Sequence, residues 1–457
     1  MTIILGAGLA GISASYHLNH DCKVFEKQPH SGGHIYSEKI NQFVWDEGPH
    51  VSFTKHEYVK NLFAETCEYL EYPVYPTNYY KGNWVPHPAQ TNLYALPEPI
   101  RTKCLESFLS SRQQIDKDYK PKNYKEWLHM ALGKEFAEEF PTVYTIKYWT
   151  TPPENLTADW VGERVLYPEI EDVKAGYVEA PKVTKHYQST VRYPKTGGYY
   201  SYANKLKKGA NIFLNKEVMH VDLGNKTVTF SDGTSETYTR LINTMGLDEF
   251  ILKTDAPENV KNAARALSCS EVLLINVVVN HPAPNVNQWM YVYDRDKYST
   301  RISYTDLFSP ENGVPGKSGL QVEVYFSKYR KQTQGLSEII DSVCKELVEM
   351  GLAKKTEDIL EVNTKKVKYA NVIFDLGRKE ALNTIYNYLT QFGLIREDDD
   401  LNSMTNWNQR LENPQPLGSI IMAGRFGEWK YHWTDDCVMR GLLISKSIGS
   451  RDHKENL

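Results

Sequence analysis

Thr2-Ile3-Ile4-Leu5-Gly6-Ala7-Gly8-Leu9-Ala10-Gly11 is the stretch that decides how this chain is read. Ile3 to Leu5 is a short apolar run of strand type, and Ile12 to Leu18 continues at helical spacing. Between them Gly6, Gly8 and Gly11 stand at G-x-G-x-x-G spacing. In such a strand–turn–helix the first glycine makes the tight turn and the second lets the backbone approach a pyrophosphate. The third lets helix and strand pack closely. The helix N-terminus offers free N–H groups and a partial positive charge to phosphates. Lys23-Val24-Phe25 reads as a second strand, and Glu26 ends it. That is about 20 residues beyond the first glycine, where a carboxylate can accept hydrogen bonds from a ribose hydroxyl. A Rossmann-like dinucleotide-binding unit is the expectation.

Two further glycine loops bear on which dinucleotide. Ser31-Gly32-Gly33-His34 follows the acidic residue closely, and Asp46-Glu47-Gly48-Pro49-His50 forms another small-residue loop. Near the far end, Gly424-Arg425-Phe426-Gly427 precedes Asp435-Asp436 and a helical run. These extensions resemble the flavoprotein version of the motif, with Gly33, Arg425 and Asp435 as cofactor contacts. FAD is the expected cofactor.

The bulk numbers add limits. A chain of 457 residues exceeds one simple core. Its net charge of −4 gives no field that would demand nucleic acid or an anionic membrane, so any anionic ligand must be held by a few local cations. The 6 cysteines are scattered without a Cys-x-x-Cys pair, which fits reduced thiols in a cytoplasmic protein. The opening strand is not preceded by a basic or long apolar leader, and no apolar run is long enough for a spanning helix. A cytoplasmic protein without a membrane span is therefore expected.

Along the chain, residues 55–140 read as mostly helical, interrupted by a Pro- and Tyr-rich loop from Tyr72 to Pro99. Thr227 to Phe230, the Asp232-Gly233 turn and Leu241 to Asn243 read as a hairpin. Val272 to Val279 is an apolar strand, and Leu320 to Phe326 alternates as if one face were half buried. Ile339 to Val348 has helical spacing, stopped at Gly351, and the polar end from Arg451 to Leu457 is expected to fray. The predicted architecture is α/β, with a discontinuous FAD-binding domain (1–85, 186–250 and 401–457). A mainly helical substrate-recognition insertion fills 86–185, and an antiparallel sheet-and-helix substrate domain fills 251–400.

Several longer segments carry a family resemblance. They are Gly82-Asn83-Trp84-Val85-Pro86-His87-Pro88-Ala89-Gln90, Trp149-Thr150-Thr151-Pro152-Pro153 and Trp160-Val161-Gly162-Glu163-Arg164-Val165. Arg192 to Gly198, Asn243 to Gly246 and Gly424 to Tyr431 continue the series in order. Together they resemble UDP-galactopyranose mutase of the eukaryotic type, within the amine-oxidase-like flavoproteins. The resemblance implies a nucleotide-sugar substrate and a non-redox use of reduced flavin. In that chemistry flavin N5 is the nucleophile on the anomeric carbon, and the diphosphate leaves and returns as pyranose becomes furanose. It also implies NAD(P)H or another reductant and a role in cell-surface glycan synthesis, and it leaves room for a homo-oligomer.

The same resemblance assigns roles. Arg164 and Arg301 match diphosphate-binding positions, where a planar guanidinium suits phosphate oxygens. Tyr291 and Tyr431 match hydroxyls on the same diphosphate. His50 falls in a loop against the flavin ring, Gln90 in the nucleoside pocket, Trp149 beneath the sugar, and Val218 where backbone meets adenine. The chain departs from the pattern at His87, Ala89 and Thr145. It departs again at Asn371, which replaces a diphosphate-contacting tyrosine; Tyr369, two residues away, is the expected substitute donor. A redox flavoenzyme of the amine oxidase, desaturase or protoporphyrinogen oxidase type is the alternative, because it shares the cofactor fold.

Overall fold

The computed structural model describes residues 1–113, 119–181, 190–397 and 406–452. The opening motif folds as strand Thr2–Leu5, a turn and helix Leu9–His17. That strand is central in a five-stranded parallel sheet, ordered Ile420–Met422, Arg240–Asn243, Thr2–Leu5, Lys23–Phe25, Ile212–Phe213. A parallel sheet needs cover on both faces, and Ile3, Ile4 and Leu5 are fully buried. Gly11 presses against the turn: a Cβ there would stand 2.1 Å from the Gly6 carbonyl oxygen. The last helix, Thr434–Asp452, packs along the first, with Ser13 Oγ donating to the Val438 carbonyl at 2.9 Å. It carries through the first two residues of the polar end expected to fray; the rest lies outside the described residues.

A second sheet has seven strands, ordered Ile359–Val372, Cys269–Val279, Ser318–Phe326, Arg301–Tyr304, Trp289–Val292, Thr77–Tyr80, Asn83–Pro86. All neighbours are antiparallel except Trp289–Val292 with Thr77–Tyr80. One face packs on helix Leu336–Glu349, where Ile339, Val343 and Leu347 meet Ile275, Leu320 and Val322. A helical insertion is built on Phe108, Tyr124, Leu128, Phe136 and Phe140. Its helix Tyr124–Leu132 starts on an Asn123 cap, whose side chain accepts the Glu126 amide at 3.0 Å. Its helix Pro141–Tyr148 starts with proline at the first position, where no backbone N–H is needed.

Three sequence expectations are corrected. The strand Thr227–Phe230 turns back on Ser235–Thr237, whereas Arg240–Asn243 leaves to pair in parallel with Thr2–Leu5. The loop expected over Tyr72–Pro99 contains a hairpin, Thr77–Tyr80 with Asn83–Pro86. Its two turn residues, Lys81 (φ 47°) and Gly82 (φ 81°), both adopt the left-handed region that a tight hairpin turn requires. The hairpin joins the seven-stranded sheet, not the cofactor sheet that the 1–85 boundary implied. Finally, every residue of Ser318–Phe326 is buried. Its polar alternation has another cause: Gln321 bonds Asn276 and the Asp46 carbonyl, while Glu323 and Tyr325 line a cavity.

Candidate active site

A cavity of ≈ 540 Å³ opens where the glycine turn meets the last helix. Gly6, Gly8, Glu26, Gly33, Val218 and Arg425 all line it. The Glu26 carboxylate is held from behind by the Ala7 amide at 2.8 Å and the Gln28 amide at 2.9 Å. Those bonds fix both oxygens and leave lone pairs for ribose hydroxyls. Gly33 (φ 55°) lies across from Gly8, and a Cβ on it would come within 2.9 Å of the Gly8 Cα. The helix beginning at Leu9 has neither a side-chain cap nor an acidic residue in its first turn, so its positive end stays open to a phosphate. This combination of a ribose acceptor, a close glycine approach and an open helix end fits a dinucleotide. Val218 sits at a bulge, and its carbonyl accepts a hydrogen bond from Lys253 Nζ. Asp435 is a correction. The wall carries its neighbours Thr434 and Cys437, while the Asp435 carboxyl bonds Thr54 and is pushed up to about 6 by burial and by Asp436.

A middle chamber of ≈ 200 Å³ shares His34, His50, Tyr369, Arg425 and Trp433 with this cradle. His50 Nδ1–H donates to the Gly48 carbonyl at 2.8 Å, which leaves Nε2 as an acceptor. Burial pushes the His50 ring down to about 4 despite that bond, and the charges of Arg425, His34 and Arg301 push the same way. His50 is therefore neutral at ordinary pH. Glu47 sits between His34 (2.8 Å) and Lys365 (2.7 Å). Burial would raise its carboxyl, but hydrogen bonds and electrostatic attraction from His34 and Lys365 outweigh burial and hold it at about 2.

Arg301 meets Glu323 directly across two neighbouring strands. Nε–H donates to Oε2 at 2.6 Å and Nη2–H to Oε1 at 2.8 Å. Burial disfavours the cation, yet the Glu323 carboxylate wins and holds the guanidinium charged.

An outer chamber of ≈ 270 Å³ is bordered by His87, Gln90, Tyr144, Trp149 and Arg164. It shares Tyr148, Tyr291, Arg301, Tyr431 and Trp433 with the middle chamber. Arg164 and Arg301, 137 residues apart in sequence (301 − 164), thus line one cavity. Arg164 donates to the carbonyls of Trp160 (3.2 Å) and Tyr431 (3.0 Å). Its guanidinium lies 5.1 Å from the Tyr431 ring, and Arg425 lies 5.1 Å from the same ring. The Tyr291 hydroxyl accepts from Trp289 Nε1 at 3.0 Å, and its ring meets His87 at 4.8 Å. Trp149 packs on Trp160 and Tyr431, and Gln90 reaches the Leu166 carbonyl at 3.5 Å.

The departures resolve unevenly. Tyr369 does not replace the tyrosine missing at 371. Its hydroxyl turns to Asp248 at 2.9 Å, and it borders the cradle and middle chamber but not the outer one. Asn371 lines the middle chamber, and its Oδ1 accepts from the Tyr148 hydroxyl at 3.0 Å. Tyr148 and Glu323 were not foreseen. Their signals existed: Tyr144 and Tyr148 are four apart on one helix and stack at 5.3 Å, and Glu323 is a carboxylate inside an apolar strand.

Comparison with known proteins gives the chamber series a family. The family model for flavin containing amine oxidoreductase matches residues 9–376. Over 165 residues the chain is 27% identical to a Klebsiella pneumoniae protein described as "Probable UDP-galactopyranose mutase", a match covering 34% of this chain and 42% of that relative's length. A crystal structure of reduced UDP-galactopyranose mutase superposes with a TM-score of 0.87 at 23% identity, covering 98% of this chain and 94% of that one. Putrescine oxidase bound to putrescine superposes with a TM-score of 0.64 at 14% identity, covering 98% and 99%. At these identities the two structural likenesses are likenesses of fold. Among the described residues no helix is long and apolar enough to cross a membrane. The chain belongs to the flavin-containing amine oxidoreductase family, and the cofactor its cradle takes is FAD.

Proposed function

We propose that this protein is an isomerase, a nucleotide-sugar mutase that interconverts pyranose and furanose forms of UDP-galactose or a related sugar. One observation carries the reading. Arg164 and Arg301 line a single chamber, and that chamber joins the FAD cradle through a smaller one. A diphosphate at the junction would leave its sugar on the cofactor side and its nucleoside among the aromatics of the outer chamber.

When bound in reduced form, the flavin supplies the nucleophile for the sugar's anomeric carbon. The remaining work falls to this chain. Glu323 takes the Nε–H and one Nη2–H of Arg301, which leaves the other N–H donors for phosphate oxygens. Arg164 adds a second guanidinium, and the hydroxyls of Tyr291 and Tyr431 add neutral donors. Holding the departing diphosphate between fixed cations keeps its return effectively intramolecular. Neutral His50 offers Nε2 at the boundary between cradle and middle chamber. NAD(P)H or another reductant would keep the flavin reduced.

The test is incubation of the dithionite-reduced holoenzyme with a panel of nucleotide sugars, followed by separation of pyranose and furanose products. Turnover without net consumption of reductant is the expected result. Failure to convert any sugar, with none perturbing the flavin spectrum, would sink the proposal. The fold shared with putrescine oxidase favours one competing reading, an amine-oxidizing enzyme. Oxygen consumption with a polyamine, unaffected by loss of Arg164, would establish that reading instead.

A further inference from the structure

Five residues line both the middle and outer chambers: Tyr148, Tyr291, Arg301, Tyr431 and Trp433. Tyr148 is the last residue of helix Pro141–Tyr148, so it reaches this junction from the helical insertion. Its hydroxyl donates to Asn371 Oδ1 at 3.0 Å and lies 3.2 Å from the Tyr431 hydroxyl. A phenol has one proton to give. Since that proton goes to Asn371, Tyr431 donates to the Tyr148 oxygen. Two hydroxyls from different walls are thereby held together beside Arg301.

The local backbone is built to keep Tyr148 there. Two residues on, Thr150 has φ 59°, a left-handed conformation that a β-branched residue rarely adopts. The buried Thr150 hydroxyl lies 2.6 Å from both the Trp149 carbonyl and the Ser327 hydroxyl, pinning the helix end to the residue that follows strand Ser318–Phe326. Such strain persists only where the surroundings over-determine it. The Tyr148 ring is fixed as well, stacked on Tyr144 at 5.3 Å and edge-on to Tyr325 at 4.8 Å. Burial keeps the hydroxyl protonated.

We propose that Tyr148, backed by Asn371, is a third hydroxyl donor at the junction and grips the phosphates of the leaving group together with Tyr291 and Tyr431. The proposal rests on the mutase reading and deepens it. Position 371 carries no phenol in this chain, and the hydroxyl comes instead from the opposite wall, with the asparagine as its anchor. An arriving phosphate oxygen accepts from both tyrosines: each hydroxyl rotates about its C–O bond, and the Asn371 amide turns to donate an N–H to the Tyr148 oxygen, which keeps the phenol in place once its proton is given to phosphate.

The experiment titrates UDP, and separately uridine, into the oxidised holoenzyme and follows the flavin absorbance change and the heat of binding. Tyr148→Phe keeps the ring and removes one oxygen. It should weaken UDP roughly tenfold, the usual consequence of losing one hydrogen bond to an anion, while uridine affinity stays unchanged. Asn371→Ala should weaken UDP several-fold, and the double variant should bind no worse than Tyr148→Phe, because the two residues act as one unit. If Tyr148→Phe fails to retain flavin, Asn371→Ala carries the test in its place. UDP binding equal to wild type in the testable variant overturns the assignment, and so does an equal loss of uridine and UDP affinity, which would mark a role in shaping the pocket. A wild-type protein that binds no UDP overturns the mutase reading itself, and the Tyr148 assignment with it.

Discussion

Arg301 and Glu323 are register partners on adjacent strands and form a two-pronged ion pair, 2.6 and 2.8 Å long, at the floor of the middle chamber. Glu323 is almost fully buried, with 3% of its side chain exposed, while Arg301 keeps 23%. The pair therefore has a structural and a ligand-binding duty, and these can be separated.

Arg301→Ala strands a buried carboxylate and should cost about 3–5 kcal/mol of stability. Arg301→Met combined with Glu323→Leu removes both charges and should recover most of that loss, since apolar replacements of buried ion pairs are close to neutral. Nucleotide binding should remain impaired in both variants. Thermal denaturation alongside UDP titration checks this; recovery of UDP affinity in the double variant would contradict the role given to Arg301.

Glu26→Leu removes the acceptor for two backbone amides as well as for the ribose. The two stranded amides cost stability, and loss of a charged acceptor for ribose, about 1.5–3 kcal/mol per hydrogen bond, should lower FAD affinity by at least about tenfold. Equilibrium dialysis of the flavin, or the fraction of protein purified yellow, measures it.

Gly11→Ala places a Cβ 2.1 Å from the Gly6 carbonyl oxygen. Both atoms belong to backbone or are fixed to it, so the helix must shift off the strand. Overpacking of this kind costs roughly 1–3 kcal/mol, and flavin content should drop with it. A variant with unchanged melting temperature and full flavin would show that the turn is looser than described.

His50 should shape the acid limb of stability. Its folded-state pKa lies at about 4, below its ordinary 6.5. The unfolded chain therefore binds a proton that the folded protein refuses, and stability contributed by this group falls as pH drops from 6.5 towards 4. The slope is at most about 1.4 kcal/mol per pH unit for one proton. His50→Asn should flatten the profile in that window relative to wild type, as read from urea denaturation at successive pH values.

The cofactor half was legible because its signals are local. Gly6, Gly8, Gly11 and Glu26 lie within one strand–turn–helix–strand, where spacing alone implies geometry, and all except the packing glycine Gly11 line the cradle. Asp435 was misread because a helix's first turn points successive side chains in different directions, and Thr434 and Cys437 took the wall. The substrate side was legible only through resemblance. Tyr148 meets Asn371 across 223 residues of sequence, and no periodicity announces such a meeting. Likewise, alternation in Ser318–Phe326 showed that one face is polar, but not that another domain covers it.

The five-stranded sheet joins strands that lie far apart in sequence, with Thr2–Leu5 at its centre and Ile420–Met422 at its edge. Residues 424, 425, 434 and 437 complete the wall opposite the glycine turn. The glycine turn alone therefore leaves the cradle open on one side, and only a segment distant in sequence closes it. Flavin retention therefore reports that two distant segments have met, since a variant truncated before residue 424 has half a cradle and nothing to close it.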